Sequence, residues 1–193
     1  MANVYHKDLT GADLHIPKVH NNTYHSETYL TAVSEHGAEK HTDRTRTLFV
    51  PVMYADDGVS VSAHWGDLGG GKLTDGATKK AFGQFKVPAD YSSSGVVKAV
   101  VGPEASGNMY YQVQCYFASS GEDYTTHNAA SSSGAEAVVQ DNIKIMAYTV
   151  SLTGITTDDF VMCRITRTGG SGFDTVNADV WVLGFIFEYT ADM

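Results

Sequence analysis

Met109-Tyr110-Tyr111-Gln112-Val113-Gln114-Cys115-Tyr116-Phe117 decides the fold class. In an extended chain, side chains point alternately to opposite faces. Met109, Tyr111, Val113, Cys115 and Phe117 therefore line one face, while Gln112 and Gln114 lie on the other. A helix would scatter these apolar residues around its circumference, so the stretch reads as a half-buried β-strand. Val59, Val61, Ala63 and Trp65 alternate with Ser60, Ser62 and His64 in the same way.

Working outward, runs rich in Val, Ile, Phe, Tyr and Thr are punctuated by Gly, Asp, Asn and Ser. They predict eight strands, over 45–54, 59–65, 81–87, 96–101, 109–117, 143–152, 160–167 and 178–189. One core face and one wetter face per strand is the pattern of a sandwich. The fold class read from this is all-β, a single jelly-roll-like antiparallel β-sandwich of about eight strands over 46–193, with an immunoglobulin-like sandwich as the alternative. Asp56-Asp57-Gly58 and Gly69-Gly70-Gly71 are read as turns, Gly184 as a bulge or a close backbone approach, and Ala118 to Asn142 as the longest unstructured stretch. Such a loop is a binding surface or is mobile.

The first 45 residues differ. They hold six of the eight histidines and sustain no apolar period, so they cannot build a core of their own. They read as an extended N-terminal arm that gains order on another surface. The last strand raises the opposite problem. Trp181, Leu183, Phe185, Phe187 and Tyr189 fall on one face, and Val180, Val182 and Ile186 on the other. Both faces ask for cover, from the arm folding back or from a neighbouring subunit, and the second assigns Val180, Val182 and Ile186 to an oligomer interface.

Composition bounds the function. The chain has 193 residues and a formal net charge of -9, from 13 Lys and Arg against 22 Asp and Glu. That balance disfavours nucleic acid, whose affinity comes mostly from basic groups neutralising phosphates. No apolar run reaches 18 residues and Met1 to Thr10 has no signal-peptide pattern, so neither a membrane nor an export route is expected. Cys115 and Cys163 both sit in apolar runs, which predicts buried thiols rather than a disulfide scaffold.

Motifs for chemistry are weak. Gly66-Asp67-Leu68-Gly69-Gly70-Gly71-Lys72-Leu73 is one residue short of a phosphate loop, with Leu73 where the metal-binding hydroxyl belongs. His15, His20 and His25 recur every five residues, which places them on diverging faces of a helix, a poor metal spacing. Asp56/Asp57, Glu122/Asp123 and Asp158/Asp159 read as solvated turn acids, and Gly170-Ser171-Gly172-Phe173 is not a nucleophile elbow. Neither a cofactor nor a metal nor an enzymatic activity is expected. Tyr and Trp in loops would suit sugar rings, but most aromatics fall on predicted strands and are read as core.

His6-Lys7-Asp8-Leu9-Thr10-Gly11-Ala12-Asp13-Leu14-His15-Ile16-Pro17-Lys18 resembles the opening segment of virion structural proteins of tailed bacteriophages, among them head-fibre, decoration and tail-fibre-like chains. Ile165-Thr166-Arg167 to Asp174-Thr175, followed by Asp179 to Phe185, is similar to the last two strands of sandwich domains that recur in phage proteins. The resemblance implies a virion protein, made in a host cytoplasm, whose arm attaches through His6, Asp8, Leu9, Leu14, His15, Ile16 and Pro17 to the major capsid protein or another virion protein. The expected assembly is a capsid decoration or head-fibre homotrimer; a receptor- or glycan-binding tail-fibre domain, with a host-surface glycan as partner, is the alternative. The glycine-rich stretch that commonly follows the Pro-Lys pair is replaced here by residues 19–33, VHNNTYHSETYLTAV.

Overall fold

The computed structural model describes residues 44–56, 62–64 and 68–192. The attachment residues His6, Asp8, Leu9, Leu14, His15, Ile16 and Pro17, and the five-residue histidine repeat, lie outside them. The strands are β1 (Arg44–Pro51), β2 (Tyr54–Ala55), β3 (Ser62–His64), β4 (Leu68–Leu73), β5 (Thr78–Lys86), β6 (Tyr91–Pro103) and β7 (Gly107–Ala118). They continue with β8 (His127–Ala130), β9 (Gly134–Val138), β10 (Lys144–Ile145), β11 (Val150–Ser151), β12 (Phe160–Thr168) and β13 (Val180–Ala191).

These strands form two sheets in which every pairing is antiparallel. In the first, β13 lies between β6 and a line made of β4 and β1 end to end, while β10 and β11 share the far edge of β6. In the second, β12 lies between β5 and β7, while β8 and β9 share the far edge of β7 and β2 closes the β5 edge. The last two strands thus insert into the middle of the two sheets beside strands laid down much earlier. This is a jelly roll, with several of its positions filled by two short strands in line.

The core lies between the sheets. Met109, Tyr111, Val113, Cys115 and Phe117 of β7 point into it, as their alternation predicts, opposite Val97, Ala99 and Val101 of β6 and Phe185 and Phe187 of β13. Cys115 and Cys163 are free, fully buried and directly opposed across β7 and β12.

β13 corrects the two-faced reading. Val182 pairs with Val101 but Gly184 pairs with Val100, so one extra residue is accommodated on β13 between them. A bulge of this kind shifts the alternation by one and exchanges the faces beyond it. Val180 and Val182 therefore point into the core together with Phe185, Phe187 and Tyr189, and both valines are wholly buried within the single chain. Of the three residues assigned to an oligomer interface, Ile186 alone stays on the outer face, opposite the exposed Phe49. Gly184 is required here because a Cβ would stand 2.4 Å from the Val50 carbonyl oxygen.

Two further expectations change. Gly69, Gly70 and Gly71 belong to β4 rather than to a turn, and a Cβ on Gly71 would lie 2.7 Å from Val52. Close packing under Val52, Ala55 and Ala81 explains the glycine there, and no helix follows to face a phosphate. The stretch 118–142, read as unstructured, contains β8 and β9, while 143–152 contributes two short pairings, β10 and β11, instead of one long strand.

Candidate functional site

The outer face of the second sheet carries the residues that the strand alternation leaves over. Val161, Cys163 and Ile165 of β12 point inward, so Phe160, Met162, Arg164 and Thr166 point outward. Register places Met162 between Gln84 of β5 and Tyr116 of β7, and Arg164 between Phe82 of β5 and Gln114 of β7. Tyr54 of β2 extends the second row beyond Phe82, their ring centres 5.5 Å apart. Tyr54 and Phe160 are 52% and 60% exposed, a high value for aromatics on strands in the middle of a chain.

A cavity of about 730 Å³ opens at one end of this face, lined by Gln84, Lys86, Tyr116, Phe160 and Met162 and walled by Ser119, Glu122 and Tyr124 of the β7–β8 loop. A second depression of about 440 Å³ lies along Tyr54 and Phe82. The two share Met53, Gln84 and Met162, which makes them one continuous trough across β2, β5 and β12. The β7–β8 loop, part of the stretch read as a binding surface or as mobile, supplies the wall, and its Tyr124 is 71% exposed.

Polar groups are fixed beside the trough on the same sheet face, where Arg164 neighbours Phe82. Arg164 Nη2 donates to Gln114 Oε1, and Gln114 Nε2 donates to the Tyr116 hydroxyl at 2.9 Å. The guanidinium lies 5.8 Å from the Tyr116 ring centre, within cation–π range. Arg164 Nε is buried and meets no acceptor among the described residues. An orphan of this kind costs about 1–3 kcal/mol and marks a place where the fold has left a donor unused. Lys86 Nζ stands 5.9 Å over the Phe160 ring.

The acids do other work. Glu122 is the one carboxylate among the cavity-lining residues. Hydrogen bonds from Ser119, its N–H at 3.0 Å, hold Glu122 below the usual carboxylate range, so it stays ionised with no proton to deliver. Asp123 takes the Thr125 N–H and hydroxyl at 2.8 and 2.7 Å, and Asp159 takes the Thr156 N–H at 2.8 Å. These are turn-closing contacts, although Asp159 is buried rather than solvated as expected. Among the described residues, no group of three or more His, Cys, Asp or Glu is placed to hold a metal ion.

Tyr54, Phe82, Phe160, Met162 and Arg164 escape the sequence reading because aromatics on strands are assigned to the core. A signal was available: Phe160 and Met162 occupy the polar phase of an alternating strand, out of step with Val161, Cys163 and Ile165.

No protein-family model matches the chain, and no curated protein matches it. Among solved structures it is similar to the carbohydrate-binding module TmCBM61 in complex with β-1,4-galactotriose, at 10% identity and a TM-score of 0.34, over 77% of this chain and 88% of that one. It is also similar to a structure from work on promiscuous carbohydrate-binding modules of the β-sandwich superfamily, at 11% identity and a TM-score of 0.33, over 79% of this chain and 56% of that one. A third is the enzymatically active domain of tailspike protein 4 of bacteriophage CBA120, at 7% identity and a TM-score of 0.32, over 78% of this chain and 19% of that one.

Proposed function

We propose that the chain is a non-enzymatic phage virion protein whose jelly-roll body binds carbohydrate through the outer face of the β5–β12–β7 sheet. Its residues 1–45 attach it to the capsid exterior. One observation carries the body's role: the trough combines solvent-facing aromatic and thioether surface with a fixed set of amides and cations. Sugar rings present apolar C–H faces ringed by hydroxyls, and they are bound by flat apolar side chains with polar groups at the margin. Tyr54, Phe82, Phe160 and Met162 supply the first. Gln84 and Lys86 in the trough, with Gln114 and Arg164 beside it on the same face, supply the second. Because these side chains stand on paired strands, little order has to be imposed on binding.

The attachment rests on the resemblance of residues 6–18 to phage virion proteins. The two roles are separable by experiment. The full chain is expected to bind at least one polysaccharide on a glycan array, and Phe160→Ala or Tyr54→Ala should each weaken it up to about tenfold, the equivalent of roughly 0.5–1.5 kcal/mol for a lost aromatic contact. Deleting residues 1–20, or changing Leu9, Leu14 and Ile16 together to Ser, should abolish co-sedimentation with capsids and leave the sugar affinity intact. Failure to bind any glycan, or full capsid occupancy by the deletion variant, would overturn the corresponding half.

A further inference from the structure

Resting on the carbohydrate reading of this same trough, we infer that its ligand is an acidic glycan, with a sugar carboxylate received beside Arg164. The charge of the face is opposite to that of the chain. The formal net charge is -9, yet the outward positions of β5, β12 and β7 hold Lys80, Lys86 and Arg164 and not one Asp or Glu. Among the described residues, the nearby carboxylates stand at the rim, with Glu122 on the β7–β8 loop and Asp56 after β2.

The partners of these cations make the distinction sharper. On the other sheet, cations meet carboxylates: Lys98 with Glu188 at 2.5 Å, Arg46 with Asp90 at 2.5 Å, and Lys72 with Asp179. On the trough face Arg164 meets a glutamine amide and a tyrosine ring, and Lys86 meets the Phe160 ring. Neutral partners orient a guanidinium without discharging it. Planar guanidinium N–H groups match a carboxylate in geometry as well as charge.

The acidic remainder of the chain does not cancel this. Charges separated by more than about 8 Å are largely screened at physiological ionic strength, so a ligand in the trough feels the local cations first. Glu122 Oε2 is engaged by the Ser119 N–H and lies at the far wall, 3.9 Å from His127 Nε2.

The test uses the full chain and a panel of uronic- or sialic-acid-containing bacterial polysaccharides. Each is printed beside its own carboxyl-reduced form, in which the carboxylate has become a hydroxymethyl group. Binding to at least one native member, with a tenfold or greater loss on carboxyl reduction and a fall in affinity as NaCl is raised, is the expected result. Arg164→Gln should lose that preference, binding native and reduced forms alike, and Arg164→Lys should keep part of it; thermal melting reports whether each variant is folded. Equal binding of native and reduced forms by the unaltered chain would overturn the acidic-ligand inference and leave the carbohydrate reading standing. Binding to neither form, nor to neutral glycans, would overturn both.

Discussion

Arg167 and Asp174 are joined by two parallel hydrogen bonds, Nε to Oδ2 at 3.1 Å and Nη2 to Oδ1 at 2.9 Å, with neither side chain exposed to solvent. The same guanidinium donates to the carbonyls of Leu73, Val176 and Ala178 at 3.1, 2.5 and 2.8 Å. Asp174 in turn accepts the Tyr110 N–H at 3.0 Å and the Val176 N–H at 3.2 Å. The pair thereby ties the end of β12 to β4, to β7 and to the loop that leads into β13. A buried charge is tolerable only when its hydrogen-bonding capacity is met, and here the two-pronged pair, Asp75 at 3.4 Å and these backbone groups meet it together.

Breaking that pair should be among the most damaging single changes. Arg167→Ala leaves the buried Asp174 without its counter-charge and strands three carbonyls, and should cost about 3–5 kcal/mol. Arg167→Lys should be intermediate, because an ammonium cannot reproduce the fork. Urea unfolding checks both; a loss below about 1 kcal/mol for the alanine variant would show that the pair is not structural.

The bulge on β13 makes its own prediction. Gly184→Val would press a side chain against the Val50 carbonyl, 2.4 Å from the Cβ position, and against Phe49 at 2.6 Å. Backbone cannot yield as a flexible side chain does, so a loss of about 1–3 kcal/mol is expected. Hydrogen exchange should locate the damage, with faster exchange of the β1 amides paired to β13.

The thiols of Cys115 and Cys163 lie 3.4 Å apart and fully buried. Burial, reinforced by the neighbouring thiol, pushes Cys163 well above the ordinary thiol range and keeps it protonated. Thiolate is the reactive form, so an aromatic disulfide reagent should label neither residue in the native chain, even at pH 9, and both after denaturation. Rapid labelling of the folded protein would contradict this packing.

Acid should weaken the fold through Glu136. Burial acts to raise its pKa, but the Ala147 N–H and the Tyr111 hydroxyl, each at 2.7 Å, and Lys144 at 3.0 Å outweigh it and leave the carboxyl below the usual range. A folded pKa below the unfolded one gives stability that is present above the unfolded value, about 4.3 for glutamate, and lost as pH falls through the folded value. Tyr111 runs the other way: burial and Glu136 raise its pKa, so its contribution is present below about 10 and lost above it. Glu136→Gln should flatten the acid limb of a plot of urea midpoint against pH. An unchanged limb would exclude Glu136 as its source.

Alternation alone made the strands of the core legible. The inward residues of β7 and β12 are where a period of two puts them, because a strand's side chains are bound to its pleat whatever lies beyond it. The same local rule, with Gly, Asp and Ser as punctuation, was enough for an antiparallel sandwich and for two buried thiols. What it could not supply was anything set by a neighbour. Gly184 within a strand pattern points to a bulge or a close backbone approach, but only the pairing of β13 with β6 shows that the extra residue carries Val180 and Val182 from the expected interface into the core. The glycines of β4 read as a turn until Val52 and Ala81 are seen pressed against them. Arg167 is just one more arginine in the sequence, and only long-range folding brings the Leu73 carbonyl to it. The trough is of the same kind: Tyr54, Phe82, Tyr116 and Phe160 come from four strands, and it takes the register between those strands to set them on one face.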